Sequence, residues 1–266
     1  MNIIVCIKQV PDTTDVKIDP ETNTLVREGV PSIINPFDVY AIEEGLRLKD
    51  TFGGKVFVIT LGPPQSIKAL KEAVAMGVDD AIQLSDKAFA GSDSWSTSYA
   101  LSMAVRNLGE YSIILCGKQA IDGDTGQVGP GIASQLGITQ LTYVSRIVKL
   151  EPETGSIVVE RLLEEGREIV EARLPALLTV VKDINQPRPA SLIHIRRASK
   201  LTIPVWTTGD LPGIDKSRLG LKGSPTQVIR IFSPPGREGD LDVIEADSVE
   251  QSAAILAEKI IAEKIL

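Results

Sequence analysis

Short unbroken apolar runs alternate along this chain with amphipathic stretches. Residues 2–7, NIIVCI, are apolar without alternation, which suits a strand covered on both faces. Residues 55–61, KVFVITL, a short run at 80–84 and Ile113-Ile114-Leu115-Cys116 repeat that signature. Between them, Val39, Ile42 and Leu46 fall at helical spacing over 36–49, with Pro36 suited to a first turn. Ile67, Leu70 and Val74 do the same over 65–76, and Gly77 closes that helix. Residues 94–108 carry Trp95, Tyr99, Met103 and Leu108 on a third helix. This alternation over the first ~140 residues predicts an α/β fold, a mostly parallel doubly wound sheet of Rossmann-like type with helices on both faces.

The pattern changes after Gly137. Residues 141–149, 156–163, 167–172 and 176–182 read as strands joined by short turns, able to extend the sheet in antiparallel fashion. Residues 185–225, rich in Pro, Gly, Ser and basic residues, read as one long loop; in a compact chain such a loop serves a function or a partner. Residues 247–264 predict an amphipathic helix with Val249, Ala253, Leu256 and Ile260 on one stripe. The expected organisation is therefore an α/β nucleotide-binding domain over 1–183, a loop and extended arm over 184–240, and a terminal helix within 241–266.

Candidate chemistry concentrates in Tyr111 to Gly137. The run Ile113–Cys116 breaks at Gly117 into a polar loop containing Gly123, Gly126 and Gly129, then resumes as a helix through Ile132, Ala133 and Leu136. Strand, glycine-bearing loop and helix can present backbone N–H groups and a helix N-terminus to a phosphate. Lys118 is followed by Gln119, so no P-loop forms, and no G-x-G-x-x-G is present. On the residues alone, a nucleotide loop and an ordinary capped turn both remain open. Two carboxylates beside a diphosphate would repel it, so Asp122 and Asp124 are not both expected to face phosphate. Asp124 is placed to cap a helix starting near Thr125, and Asp122 to accept from a ribose hydroxyl or brace the loop. Thr125, Gln127, Val128 and their N–H groups are the better ligand contacts. Asn35 suits the cap of the helix opened by Pro36, Phe37 and Asp38, and Lys8 and Gln9 follow the first strand within reach of either phosphate or solvent.

Composition narrows the function classes. With 266 residues and only 4% aromatics, the core must be built mainly of Ile, Val, Leu and Ala. A net charge of −7 argues against broad nucleic-acid binding and against an anionic membrane surface. Cys6 and Cys116 lie inside apolar runs and read as small buried hydrophobes. One histidine, His194, gives no basis for a zinc site and reads as a surface or packing residue rather than a catalyst. The N-terminus reaches Lys8 too soon for a signal peptide, and no apolar run approaches membrane-spanning length, so a cytoplasmic location without membrane insertion is expected.

Four segments resemble the beta subunit of electron transfer flavoproteins, the family that includes FixA: VCIKQVPD at 5–12, NPFDVYAIEEGLRLK at 35–49, GKQAIDGDTGQVGP at 117–130, and the run from Arg161 through LPALLTV to NQPRPASLIHIRRASK at 185–200. The resemblance implies an obligate heterodimer with an alpha subunit that carries FAD. It implies a nucleotide on this chain too: AMP in simple carriers, or a second FAD in bifurcating members. There the FAD takes hydride from NADH and divides the electrons between ferredoxin and a partner dehydrogenase of the acyl-CoA or another flavin class. By matching motifs, the cofactor site comprises Cys6, Asn35, Pro36, Phe37, Asp38, Leu61, Gly117, Gln119, Asp122, Asp124, Thr125, Gly126, Gln127 and Val128. Leu192 takes the place of the apolar anchor of the docking loop, ringed by Arg196, Arg197 and Lys200, and the terminal helix is expected to pack on the alpha subunit. Pro189 stands where the family has an aromatic after P-R, and Leu162 follows Arg161 where simple carriers have an acid. VGP at 128–130 and LKGSPTQVIRIFSPP at 221–235 resemble bifurcating or Fix-type members, which favours FAD over AMP. No catalytic side chain and no metal ligand are implied, because the flavin carries the chemistry. An adenylate-binding module is a remote alternative, opposed by the 185–235 arm.

Overall fold

Strand β1 (Asn2–Cys6) buries Ile3, Ile4, Val5 and Cys6, as its unbroken apolar run requires of a central strand with helices on both faces. The structure, a computed structural model, describes residues 1–12, 31–229 and 242–263. After β1 come the antiparallel pair β2 (Gln9–Pro11) and β3 (Ser32–Ile34), helix α1 (Pro36–Phe52), β4 (Lys55–Leu61), α2 (Ile67–Met76), β5 (Asp80–Leu84), α3 (Ser94–Leu108), β6 (Ile113–Gly117) and α4 (Val128–Leu136). The chain continues through β7 (Thr139–Glu151), β8 (Ser156–Leu163), β9 (Gly166–Arg173), β10 (Ala176–Val180), α5 (Leu192–Lys200), β11 (Val205–Trp206), α6 (Gly220–Gly223) and α7 (Val249–Ala262).

Nine strands form one sheet in the order β11-β5-β4-β1-β6-β10-β7-β8-β9. Pairing is parallel from β11 to β7 and antiparallel across β7, β8 and β9. Alternate side chains serve two cores. Ile3, Val5, Val56 and Val58 meet Ile42 and Leu46 of α1 and Leu70 and Val74 of α2. Ile4, Cys6, Ile59, Ile114 and Cys116 meet Tyr99 and Met103 of α3 and Ile132 of α4. Each such aliphatic side chain contributes about 1.5–3 kcal/mol on full burial. From β1 the chain builds outward to β4 and β5, then returns to lay β6 on the other side of β1. The crevice at the C-terminal ends of β1 and β6 is therefore a topological switch point, where open α/β sheets bind ligands.

Two expectations change. The segment at 176–182, grouped with strands extending the sheet in antiparallel fashion, is β10, which inserts between β6 and β7 and runs parallel to both. All five of its residues are buried, so its run ALLTV is that of a central strand. Residues 185–225 are not a structureless loop: they contain α5, β11 and α6. Ser191 caps α5 by accepting from the His194 N–H at 3.2 Å. Only Ala198 of this helix is buried, so no core-facing stripe announces it. One compact unit spans Met1–Arg230 and a second spans Ile231–Leu266; residues 184–229 thus pack with the sheet. In the second unit, α7 buries none of its side chains. Among the described residues, no helix is long and apolar enough to cross a membrane.

Candidate functional site

Cys6, Leu61 and Gly117 end β1, β4 and β6, and Asp38 staples two of those ends together. Its Oδ2 accepts from the Lys8 N–H at 2.7 Å and its Oδ1 from the Gly117 N–H at 3.1 Å. The staple spans the switch-point crevice from the first turn of α1. Asp38 is 6% exposed. Burial pushes its pKa from the ordinary 3.8 up to about 7, against the pull of the backbone N–H donors and of Asn35. Both oxygens thus serve the protein backbone. Gly117 is obligatory here, because a Cβ would lie 2.7 Å from the Phe37 carbonyl carbon. Asn35 occupies the N-cap position of α1 but makes no side-chain cap. Its amide instead donates to Gln119 O at 2.9 Å and accepts from the Ile121 N–H at 3.1 Å, tying the glycine loop to the helix. Pro36 fills the first turn, where no N–H is needed.

The glycine loop settles the question of its two aspartates. Asp122 pairs with Lys8 Nζ at 2.6 Å. Asp124 accepts from Gln119 Nε2 at 2.7 Å, with φ at +50°. Asp124 therefore does not cap a helix, contrary to expectation. The helix starts at Val128, and its N-cap residue Gln127 makes no side-chain cap, so Asp124 lies too early. Asp93, by contrast, does cap α3. The first turn of α4 thus offers N–H groups to a ligand without competition from a capping side chain. Thr125 Oγ1 meets Ser94 Oγ at 3.2 Å, fixing Thr125 and Gly126 beside α3.

Lys118, which is not among the expected site residues, stands beside this candidate site. Its Nζ stands 5.5 Å from the Phe37 ring and 5.7 Å from the Tyr143 ring. Tyr143 is exposed and has φ at +57°, an uncommon conformation for a bulky residue. Its position on β7 precedes the register shift at Val144, which no local pattern reveals. The Cys116 thiol is held well above the ordinary range, first by its hydrogen bond to Cys6 and then by burial. Both cysteines are free and buried, as expected of packing residues. Among the described residues, no cluster of His, Cys, Asp or Glu could hold a metal ion.

A cavity of about 120 Å³ opens beside the switch-point crevice, at the ends of β1 and β4, lined by Lys8, Gln9, Leu61, Gly62, Gln65, Ser66 and Asp122 among others. That is small beside the 300–1,000 Å³ or so of a complete small-molecule site. A larger cavity of about 800 Å³ lies elsewhere, among Ile34, Val39, Tyr40, Met76, Ile195 and Ala198. Its nearly all-apolar lining offers no phosphate cradle, so the strand-end crevice is the nucleotide candidate.

The residues expected to dock a partner separate into two groups. Leu192 and Ile193 project from the start of α5, 85% and 79% exposed. Arg196 and Lys200 are exposed on the same helix. Arg197 is not part of a free ring: its guanidinium donates to Val78 O at 3.0 Å and to Asp79 O. Those carbonyls follow the end of α2 and need donors. His194 packs at the closing glycine of α2, where a Cβ on Gly77 would come 3.2 Å from its ring. Arg161, lacking an acid at 162, finds Glu168 across the sheet at 2.8 Å.

Residues 22–211 match a family described as the electron transfer flavoprotein domain. The chain is 54% identical over 235 residues to an electron transfer flavoprotein subunit beta of Thermoanaerobacterium thermosaccharolyticum, covering 88% of each. It is 46% identical over 264 residues to Protein FixA of Bradyrhizobium diazoefficiens, covering 98% of this chain and 91% of that one. It is 46% identical over 261 residues to the caffeyl-CoA reductase-Etf complex subunit CarD of Acetobacterium woodii, covering 98% of each. With a stapled crevice at the switch point of an α/β sheet and likeness over nearly its whole length, the chain belongs to the electron transfer flavoprotein family, as a beta subunit.

Proposed function

We propose that this beta subunit holds FAD in the strand-end crevice, receives reducing equivalents from NADH, and works in a heterodimer that divides electrons between ferredoxin and a partner flavin dehydrogenase. The observation that carries the nucleotide reading is the crevice between β1 and β6: Asp38 fixes its floor, and α4 opens beside it with no capping side chain. The residues fit such a group. The cavity at the strand ends is too small for a whole dinucleotide, which suits a site completed by the alpha subunit. When bound, FAD supplies the hydride and one-electron chemistry that no side chain here can perform. This chain's work is binding and orientation. The N–H groups of Val128 and Gly129 in the first turn of α4 would receive an anion, Asp122 pairs with Lys8, and Asp124 accepts from Gln119. The ion pair offsets the Asp122 charge, and the neutral Gln119 amide orients Asp124 without cancelling its charge. Lys118, held between Phe37 and Tyr143, adds positive charge at the mouth.

Docking of a dehydrogenase of the acyl-CoA class is supported by the exposed Leu192 and Ile193 and by a relative named as part of a caffeyl-CoA reductase-Etf complex. Packing of α7 on the alpha subunit is supported by its uncovered Val249 and Leu256. The arm at 221–235 that favours the bifurcating reading falls partly outside the described residues. Acid release and chromatography of the gently purified heterodimer test the proposal. Two FAD per heterodimer, both reduced by NADH, is the expected result. One FAD with one AMP overturns it and makes this a simple carrier.

A further inference from the structure

We infer that Arg188 is a positioning residue for the docking helix: its clamp on α1 sets where Leu192 stands for the partner. The inference rests on the docking reading above. The Arg188 backbone N–H and Nε both donate to Glu43 Oε2, at 3.0 and 2.9 Å. Nη2 reaches Glu43 Oε1 at 3.1 Å and Asp50 Oδ2 at 2.9 Å. One residue thus binds α1 through its main chain and through a two-pronged side chain. Glu43 is buried, so this end of the contact is fixed in the body of the domain.

The neighbourhood points the same way. Pro187 and Pro189 flank Arg188, and each proline fixes its own φ and restricts the residue before it. Asn185 donates to Tyr40 O at 3.0 Å and to Glu44 Oε2 at 2.9 Å, also on α1. Its Oδ1 is buried without a partner among the described residues, a cost accepted to aim the amide at the helix. Four residues past Arg188, Leu192 opens α5; further on, Arg197 and the buried Ala198 hold the helix to the domain. The exposed tip at Leu192 and Ile193 is therefore suspended between two anchored points. A tether alone could be apolar, since a buried ion pair adds little net stability over hydrophobic contacts of similar volume. What a planar guanidinium on a buried carboxylate supplies is direction. A tip held in its bound orientation has less to order on association.

The test uses the complete heterodimer with Arg188→Gln, Arg188→Lys and Leu192→Ala. An acyl-CoA dehydrogenase that accepts electrons from the parent heterodimer is the probe. Arg188→Gln should raise the KM for the dehydrogenase by about tenfold, the size expected when one or two side chains must be ordered on binding. Flavin content, kcat and NADH-driven dye reduction should stay at parent values. Arg188→Lys, which keeps the charge but loses the fork, should fall between. A merely structural role would lower the active fraction, and hence kcat, without moving KM. If Leu192→Ala raises KM but neither Arg188 variant does, the positioning role is overturned while docking stands. If Leu192→Ala leaves KM unchanged, docking fails and takes this inference with it. If Arg188→Gln unfolds, Arg188→Lys decides: loss of kcat at parent KM overturns the inference.

Discussion

Replacing Asp38 with Asn separates the two forces that meet at this carboxyl. Burial favours the neutral acid; the N–H groups of Lys8 and Gly117 favour the carboxylate. Burial wins, raising the folded-state pKa from 3.8 to about 7. The sign follows by linkage. Between those two values the folded state holds the proton more tightly than the unfolded chain does. The stabilisation is full below the unfolded value and is lost as pH rises to about 7. One proton corresponds to about 1.4 kcal/mol per pH unit, or about 4 kcal/mol across the window. Asn is nearly isosteric and does not titrate. The stability of the parent minus that of Asp38→Asn should therefore fall by about 1.4 kcal/mol per pH unit from about pH 4 to pH 7. Asp38→Ala removes both acceptors where Asn keeps one, so it should lie about 1–3 kcal/mol below Asn at every pH. Urea unfolding of the heterodimer at fixed concentration, followed by circular dichroism from pH 4 to 8, measures both gaps. A parent–Asn gap that is flat or widens with pH refutes the reasoning, because it would mean that the two N–H bonds outweigh burial.

Leu192→Ala should leave stability within about 0.5 kcal/mol, since the side chain is 85% exposed, while weakening dehydrogenase docking by about 2 kcal/mol, read as KM in coupled turnover; unfolding or loss of nucleotide would make it a core residue. Arg197→Ala should cost about 1–2 kcal/mol in urea unfolding by freeing the carbonyls of Val78 and Asp79. Replacing Arg196 and Lys200 should instead slow association with the dehydrogenase mainly at low salt, measured by stopped flow; the reverse pattern would return Arg197 to the docking ring. Gly117→Ala should strip nucleotide and cost about 1–3 kcal/mol, because its Cβ meets the backbone at Phe37. Nucleotide retained at the parent stoichiometry, measured after acid release, would show that the start of α1 can yield.

Local pattern was enough for the elements whose partners are apolar and continuous. NIIVCI, KVFVITL and IILC announce central strands because burial on both faces leaves almost no charged or strongly polar position inside the run. Their alternation with helices carries the layered parallel fold, and the loop after Gly117 marks the end of the sheet where a ligand belongs. Tertiary structure alone decided the rest. The place of β10 between β6 and β7 follows from long-range pairing, and a five-residue apolar run is silent about its neighbours. Helix α5 hides in a Pro-rich stretch because it turns its apolar residues outward. Asp38 and Asn35 look like ordinary helix-start residues; only the return of β6 beside β1 brings Gly117 and the loop within their reach. Asp124 shows the converse: its type and position suit a cap, but a partner at Gln119 and a helix beginning at Val128 override that propensity. Arg197 likewise reads as one of a basic cluster until the end of α2 presents it with unpaired carbonyls. Burial patterns are written along the chain, whereas the partner of a polar group is set by which distant segment the fold places beside it.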